Sequence, residues 1–362
     1  MFGGIPALLA LLIFAIVSGI SSPARTPSKA PTHRASHTTT TKSTGIEVGL
    51  RSQVFVDPSR TTYDYVTGKS TPGRTLHVEI RYPTLHGAPG KETADAALDR
   101  KSSDPLVVFA PGFRLRPSDY APLLDAWVRA GFMVAAVDFP DTTFPASEAA
   151  YTSGQPHGSP EGDIYNQPQD VGFVVKQLLA AEGQTSSWLH RSFDPASIAL
   201  AGHSDGATVV GALVYDATYA SSAPSVRAVL VLSGGEFAIS NQIYRQPTTP
   251  VPLLVVQSAA DLCAAPWQAV KLYDAIGGTK YFLELDQASH LGPYSGTDAA
   301  AAAVVVKVTT AVLQADLEKG APGASQLLQD GAVNGVSAIT NASLAAAMAT
   351  PSGSGPTQCP HG

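Results

Sequence analysis

Short apolar runs alternate with amphipathic segments through most of the chain, and this alternation is the strongest constraint on the fold. Several runs are continuously apolar, which is typical of strands covered on both faces. They include PLVVFA from Pro105, FMVAAVDF from Phe132 and PLLVVQS from Pro252. Intervening segments such as SDYAPLLDAWVRAG, from Ser118, have a capping serine, apolar residues at helical spacing and a terminal glycine. The pattern predicts an α/β fold with a mostly parallel sheet and helices on both faces.

The first strands follow a different pattern. The segment TLHVEIRYP, from Thr75, places apolar or aromatic residues at every second position, which indicates a half-exposed antiparallel strand. An earlier segment, GLRSQVFVD from Gly49, alternates more weakly and is also predicted to be a strand. Together with the continuous runs, these segments predict a sheet of about eight strands.

A serine lies between two glycines where a predicted strand meets a predicted helix, in Gly202-His203-Ser204-Asp205-Gly206. The turn is so tight that the residues two positions from the serine must be small, because the strand and helix backbones nearly touch. The pattern G-x-S-x-G in this setting predicts a nucleophile elbow, which holds the serine hydroxyl above the sheet edge. Ser204 is therefore the candidate nucleophile.

A serine hydroxyl needs a base to accept its proton, and that base is expected downstream of the serine. Of the nine histidines in the chain, seven precede Ser204 or lie within the elbow, and His361 is at the extreme end of the sequence. His290, just beyond the last predicted strand, is thus the candidate base.

A carboxylate between the serine and the histidine is expected to orient the base. Asp261 follows the predicted strand PLLVVQS, at the end where open α/β sheets bind ligands. Glu236 and Asp286 also follow predicted strands and remain alternatives, although Asp261 fits the expected order best.

The first buried strand ends at Pro111-Gly112-Phe113, where a loop can direct a backbone amide at a tetrahedral oxygen. The amides of Phe113 and Asp205 are therefore predicted to form an oxyanion hole. The alternative for Phe113 is a core aromatic side chain, and the Asp205 carboxylate is also suited to a helix N-terminus.

Sequence composition divides the chain into four parts. Residues 1–24 are predicted to be a signal peptide cut after Ala24, because Ile5 to Ile20 is uncharged and apolar but shorter than the roughly 20 residues of a membrane span. An uncleaved anchor is the alternative. The Ser/Thr/Pro-rich residues 25–45 are predicted to be a disordered tether, 46–317 the α/β domain and 318–362 an Ala/Gly/Ser-rich tail.

An exported protein can form disulfides, and this chain has only two cysteines, Cys263 and Cys359. A bond between them is possible and would hold the tail to the domain; two unpaired thiols are the alternative. The long Gly/Pro-rich segment from Pro140 to Gln167 is predicted to border the site.

The formal net charge is −6, although the first 46 residues contain four basic residues and no acidic ones. The rest of the chain is thus more acidic still, which argues against nucleic acid and anionic lipid as partners.

Over Gly45 to Leu317 the chain resembles the α/β-hydrolase superfamily. The segments VFVDPSRTT, GRTLHVEIRYPT, GFMVAAVDFP and QPQDVGFVVKQLL resemble secreted esterases of the platelet-activating-factor acetylhydrolase and dienelactone-hydrolase-like branch. The segment QASHLGPY is more weakly similar to bacterial cutinases. Dienelactone hydrolases use a cysteine nucleophile, and cutinases usually carry methionine where this chain has Asp205.

The resemblance implies a secreted serine esterase or lipase without cofactor or metal, acting on a small-molecule or lipid ester. It also implies the roles of Ser204, Asp261 and His290. Alternatives are an acyltransferase or an amide or lactone hydrolase with the same three residues, and a non-catalytic binding protein on the same fold.

Overall fold

Ten strands form a single sheet in the computed structural model, which describes residues 45–99, 104–235, 244–318 and 324–344. The strands are β1 (Glu47–Asp64), β2 (Lys69–Thr84), β3 (Glu92–Ala94), β4 (Asp104–Ala110), β5 (Met133–Asp138), β6 (Phe193–His203), β7 (Ala228–Leu232), β8 (Leu253–Ser258), β9 (Lys280–Leu285) and β10 (Ser337–Thr340). The α-helices are α1 (Ala121–Arg129), α2 (Ala146–Thr152), α3 (Gln167–Gly183), α4 (Asp205–Tyr215), α5 (Pro266–Ala275), α6 (Gly292–Ser295), α7 (Ala299–Leu317) and α8 (Ala324–Asp330). Three 3₁₀ turns cover Pro117–Tyr120, Pro160–Tyr165 and Ala217–Tyr219.

The strands lie in the order β10-β9-β8-β7-β6-β4-β5-β2-β1-β3. All neighbours from β5 through β9 are parallel, whereas β2 is antiparallel to both β1 and β5. This arrangement confirms the predicted α/β class and its antiparallel start. The count differs from the predicted eight because β3 and β10, at the two edges, have only three and four residues. Strands this short carry no readable periodicity.

The central strands are buried on both faces because each one presents apolar side chains to both helical layers. In β4, Val108 belongs to the core cluster that includes Val174 of α3 and Val210 of α4. The adjacent Val107 belongs to the cluster on the opposite face, with Trp127 of α1. The continuous apolar runs of the sequence thus reflect two cores separated by one sheet.

Helix α7 is, among the helices that the structure describes, the one long and apolar enough to cross a membrane by length and composition. Its residues Val305, Val308 and Val312 are buried in the same core cluster as Trp127 of α1. This packing is typical of the core helix of an α/β domain.

Part of the predicted tail belongs to the folded domain. Helix α8 buries Leu327 in the core cluster of α7, and β10 pairs antiparallel with β9. The sheet therefore continues beyond Leu317, where the sequence places the end of the domain. Residues 1–44, which hold the predicted signal peptide and nearly all of the tether, lie outside the described residues, as do Glu236 and Cys359.

A buried arginine ties both ends of the segment from Pro140 to Gln167 to the sheet. Arg74 of β2 is 1% exposed. Its Nε and Nη2 each donate to Asp170 of α3 at 2.7 Å, and its Nη1 donates to Asp163 at 3.1 Å. The same Nη1 lies 3.6 Å from Asp141. One guanidinium thus holds the start and the end of the segment, which itself contains α2 and a 3₁₀ turn.

Replacing Arg74 by Met is expected to lower the free energy of unfolding by about 3–5 kcal/mol, because it leaves the buried Asp163 without its counter-charge and Asp170 with Arg60 as its remaining cation. Urea titration followed by tryptophan fluorescence measures this change. The control Arg129→Met removes a half-exposed partner of Asp125 one helical turn away. It is expected to cost about 0.5 kcal/mol. Equal losses in the two variants would contradict this role for Arg74.

Candidate active site

Ser204 lies in a strained turn between β6, which ends at His203, and α4, which begins at Asp205. Its backbone has φ 56° and ψ −121°, a conformation that non-glycine residues rarely adopt. A Cβ on Gly202 would lie 2.1 Å from the Gly206 carbonyl oxygen, and one on Gly206 would lie 2.0 Å from the Ala110 oxygen. No side chain fits at either position. These are the two glycines for which the sequence predicts a close backbone approach.

The structure brings the three predicted side chains together. His290 Nε2 lies 2.9 Å from Ser204 Oγ, and His290 Nδ1 lies 2.8 Å from Asp261 Oδ2. Asp261 follows β8 and His290 follows β9, so both residues lie at the sheet edge where β6 delivers Ser204. Residues separated by as many as 86 positions thus form one continuous hydrogen-bonded series.

Asp261 is held by hydrogen bonds to both of its carboxylate oxygens. Oδ1 accepts from the amides of Cys263 and Ala264 at 2.8 and 3.0 Å. Oδ2 accepts from the Gln257 side-chain amide at 3.2 Å, in addition to His290. Burial raises the pKa of Asp261, but the bonds from His290 and the two amides outweigh burial and leave that pKa below its usual value.

An ionised Asp261 fixes the tautomer of a neutral His290 ring. A carboxylate only accepts hydrogen bonds, so His290 carries its proton on Nδ1 and leaves Nε2 free to accept from the Ser204 hydroxyl. The alternative acid Asp286 makes no side-chain hydrogen bond with His290 within the described ranges. The other alternative, Glu236, lies outside the described residues.

Donor atoms of Asp261, Cys263 and His290 lie within 4.8 Å of one another, a spacing compatible with a metal ion. However, the Cys263 sulfur is in a disulfide bond. Both oxygens of Asp261 and both ring nitrogens of His290 also make hydrogen bonds. We therefore interpret this group as a hydrogen-bonded site.

The loop after β4 passes directly beside Ser204. A Cβ on Gly112 would lie 2.9 Å from the Ser204 Cβ, so only glycine allows this approach. The Gly112 amide donates to the Tyr120 hydroxyl at 2.9 Å. The amides of Phe113 and Asp205 have no hydrogen-bond acceptor in the part of the chain that the structure describes. These are the two amides that the sequence predicts for an oxyanion hole.

Aromatic side chains border the site on the side of the Pro140 to Gln167 segment. The rings of Phe113 and Tyr151, the latter in α2, are 6.0 Å apart. Arg114 lies over the Tyr151 ring at 4.9 Å and pairs with Glu148 of α2. Helix α2 thus contacts the predicted oxyanion loop.

Two exposed apolar side chains, Leu262 and Trp267, lie in the segment that follows Asp261, with 58% and 41% of their surface accessible. Exposed apolar side chains are therefore present in the segment after Asp261, in addition to the ring of Tyr151 beside Phe113.

The Asp205 carboxyl group differs sharply from that of Asp261. Although the residue is partly exposed, its Oδ2 is buried and has no hydrogen-bond partner among the described residues. Burial raises the pKa of Asp205 to about 7, and the negative charge of Glu161 contributes in the same direction. The carboxyl group next to Ser204 is thus largely protonated below neutral pH.

Sequence reasoning missed three residues that support the site: His203, Tyr120 and Gln257. His203 and Tyr120 are fully buried and hydrogen-bonded to each other at 2.8 Å. Gln257 lies in an apolar run, where its polar side chain is unusual, but nothing in the sequence indicates that this side chain contacts Asp261. His203 was visible in the elbow, but nothing local indicates its partners.

No family model and no curated protein matches this sequence. Among solved structures, the chain is similar to a ferulic acid esterase from Streptomyces cinnamoneus, with 20% identity and a TM-score of 0.56. The match covers 79% of this chain and 94% of the esterase. With the observed sheet order and elbow, this similarity supports the predicted α/β-hydrolase fold, and at this identity it concerns the fold alone.

Asp205→Asn is expected to stabilise the protein at alkaline pH. The unfolded carboxyl ionises near 3.8 and the folded one near 7, so the native state holds the proton more tightly between these values. The wild-type free energy of unfolding therefore falls as pH rises from about 4 to about 7, and the amide removes this loss. The variant is expected to gain about 1–2 kcal/mol at pH 8 and much less at pH 5.

Urea unfolding of wild type and Asp205→Asn at these two pH values measures the difference. A stability difference that is the same at pH 5 and pH 8 would contradict the proposed burial of this carboxyl group.

Proposed function

We propose that this protein is a serine carboxylic-ester hydrolase, of the carboxylesterase or lipase type, that works through an acyl-enzyme. The observation that carries the proposal is the hydrogen-bonded series from Ser204 through His290 to Asp261, placed at an elbow. Distances of 2.9 and 2.8 Å allow direct proton transfer between the serine hydroxyl and a correctly oriented imidazole.

In the first half of the reaction, Ser204 Oγ attacks the carbonyl carbon of the ester while His290 Nε2 accepts the hydroxyl proton. The carbonyl electron pair moves onto oxygen, and the amides of Phe113 and Asp205 donate to this oxyanion. When the intermediate collapses, the bond to the alcohol oxygen breaks. His290 then donates its proton to the leaving alcohol.

In the second half, water attacks the acyl-enzyme and His290 Nε2 accepts a proton from that water. The tetrahedral intermediate collapses, the bond to Ser204 Oγ breaks, and the proton returns from His290 to the serine. The carboxylic acid is released and the free enzyme is regenerated. Asp261 remains ionised throughout and stabilises the imidazolium form of His290.

The substrate is proposed to be a small-molecule or lipid ester with an apolar or aromatic group. The support is the ring pair of Phe113 and Tyr151 beside the Gly112 loop, together with the exposed apolar side chains of Leu262 and Trp267 in the segment that follows Asp261. The fold similarity to a ferulic acid esterase is compatible with this class. Membership of the platelet-activating-factor acetylhydrolase and dienelactone-hydrolase-like branch, or of the cutinases, stays a prediction from sequence resemblance.

Purified protein is expected to hydrolyse short-chain p-nitrophenyl esters and to react covalently with a fluorophosphonate probe at Ser204. Ser204→Ala is expected to abolish labelling and to lower kcat by a factor of about 10⁴ or more, without unfolding the protein. Asp261→Asn is expected to lower kcat by a factor of about 10³–10⁴, because the amide favours the wrong imidazole tautomer.

The matched control is Asp286→Asn, which changes the alternative acid on the same sheet edge and is expected to retain wild-type kcat. Absence of labelling would favour a non-catalytic binding protein. Product analysis with an added alcohol acceptor separates hydrolysis from acyl transfer, and amide and lactone panels test the remaining alternatives. A wild-type protein that neither reacts with the probe nor cleaves any ester would refute the proposed function.

We further propose that the protein is exported, with residues 1–24 as a cleaved signal and residues 25–45 as a tether. The support is the apolar, uncharged segment from Ile5 to Ile20 and the small residues at Ser22 and Ala24.

Expression of the full chain in a bacterial host is expected to place mature protein beginning at Arg25 in the exported fraction. N-terminal sequencing measures this. Protein that keeps Met1 and sediments with membranes would instead identify an uncleaved anchor, and full-length protein in the cytoplasm would refute export.

A further inference from the structure

We propose that His203 and Tyr120 are positioning residues that join the backbone of the proposed base, His290, to the loop that carries the proposed oxyanion hole. The inference rests on the proposed function and goes beyond it, since it concerns two buried side chains that take no part in proton transfer. Neither residue is expected to touch the substrate.

Three consecutive hydrogen bonds connect the two parts of the site. The Gly112 amide lies 2.9 Å from the Tyr120 hydroxyl, and that hydroxyl lies 2.8 Å from His203 Nδ1. On the other side of the ring, His203 Nε2 lies 3.0 Å from the backbone carbonyl of His290. The bonds span separations of 8, 83 and 87 residues along the chain.

The chemistry of the end groups fixes the direction of every bond. The His290 carbonyl only accepts, so His203 carries a proton on Nε2. A neutral imidazole with its proton on Nε2 accepts at Nδ1, and the Tyr120 hydroxyl must therefore donate to it. The tyrosine oxygen then accepts from the Gly112 amide. We call this series of hydrogen bonds, from the Gly112 amide through Tyr120 and His203 to the His290 carbonyl, the relay. These bond directions require a neutral His203.

The surroundings of His203 keep it neutral. The ring is fully buried and faces three titratable side chains: Tyr120, Tyr294 and His290, with ring centroids at 5.4, 4.7 and 4.5 Å. Burial lowers the pKa of His203 well below its usual value, and positive charge on His290 lowers it further. A second positive charge 4.5 Å from the base would also oppose the imidazolium that the reaction requires.

The position of His203 in the fold explains why the relay matters. His203 directly precedes Ser204, so its ring is attached to the elbow itself. The Gly112 loop follows β4, which adjoins β6 on one side, while His290 follows β9, three strands away on the other. The His203 side chain, next to the proposed nucleophile, therefore fixes the position of the proposed base relative to the loop of the proposed oxyanion hole.

A positioning role predicts a loss in kcat with little change in KM, because misalignment affects the transition state more than ground-state binding. His203→Phe and Tyr120→Phe keep an aromatic ring but break the relay. We expect kcat for a p-nitrophenyl ester to fall about 10- to 100-fold in both, with KM changed less than about threefold. His203→Gln keeps a donor for the His290 carbonyl and is expected to recover part of the loss.

Tyr294→Phe is the matched control. Tyr294 is also fully buried against His203, but its hydroxyl bonds Ser233 Oγ at 2.8 Å. The Tyr294→Phe variant removes a buried tyrosine hydroxyl that is not part of the relay. We therefore expect it to have lower thermal stability and wild-type kcat. Melting temperatures report the stability of each variant. Fluorophosphonate titration gives the concentration of reactive sites, so that kcat is calculated for folded protein alone.

A readout that is independent of turnover comes from ¹⁵N-histidine NMR of the wild-type protein. We expect His203 to remain neutral with its proton on Nε2 down to pH 5. A protonated His203 at pH 6, a proton on Nδ1, wild-type kcat in both relay variants, or an equal loss in Tyr294→Phe would each overturn the proposal. A wild type that fails to react with the probe refutes the proposed function instead, and the positioning role falls with it.

Discussion

The close backbone contact between β6, α4 and β4 is the constraint on which the rest of the site depends. Gly202 meets the Gly206 carbonyl, and Gly206 meets the carbonyl of Ala110. Ser204 lies in the tight turn between these backbones with a positive φ, and its hydroxyl is within hydrogen-bond distance of His290. The same contact brings the loop at Gly112 beside the serine. The positions of the candidate nucleophile and of the candidate oxyanion amides therefore depend on the same backbone contact.

Two aspartates at this edge are in opposite electrostatic states for identifiable reasons. Asp261 receives hydrogen bonds at both oxygens, which hold its pKa below the usual value despite burial. Asp205 has a buried oxygen without a partner and Glu161 as a like-charged neighbour, so its pKa rises to about 7. Negative charge is thus present beside His290, where the proposed mechanism develops positive charge. It is reduced near the candidate oxyanion site, where negative charge would be unfavourable.

Two sets of hydrogen bonds and ion pairs outside the Ser204–His290–Asp261 series hold the loop at Gly112 and Phe113 in place. Arg74 fixes both ends of the segment that carries α2, and Arg114, next to Phe113, pairs with Glu148 of that helix. On the buried side of the loop, Tyr120 makes hydrogen bonds with both the Gly112 amide and His203. The loop at Gly112 and Phe113 is thus held on its outer and inner sides, which is the arrangement that a preorganised hydrogen-bond donor requires.

The sequence by itself determined the α/β class, the elbow at Ser204 and the choice of His290 as candidate base. Those inferences rest on local periodicity, on the small residues that a tight turn requires, and on the order of residues along the chain. Only the tertiary structure paired Asp261 rather than Asp286 with His290, revealed the edge strands β3 and β10, and connected His203 to Tyr120 and to the His290 carbonyl. Hydrogen bonds between residues more than 80 positions apart leave no local pattern, because they depend on which strands become neighbours in the sheet.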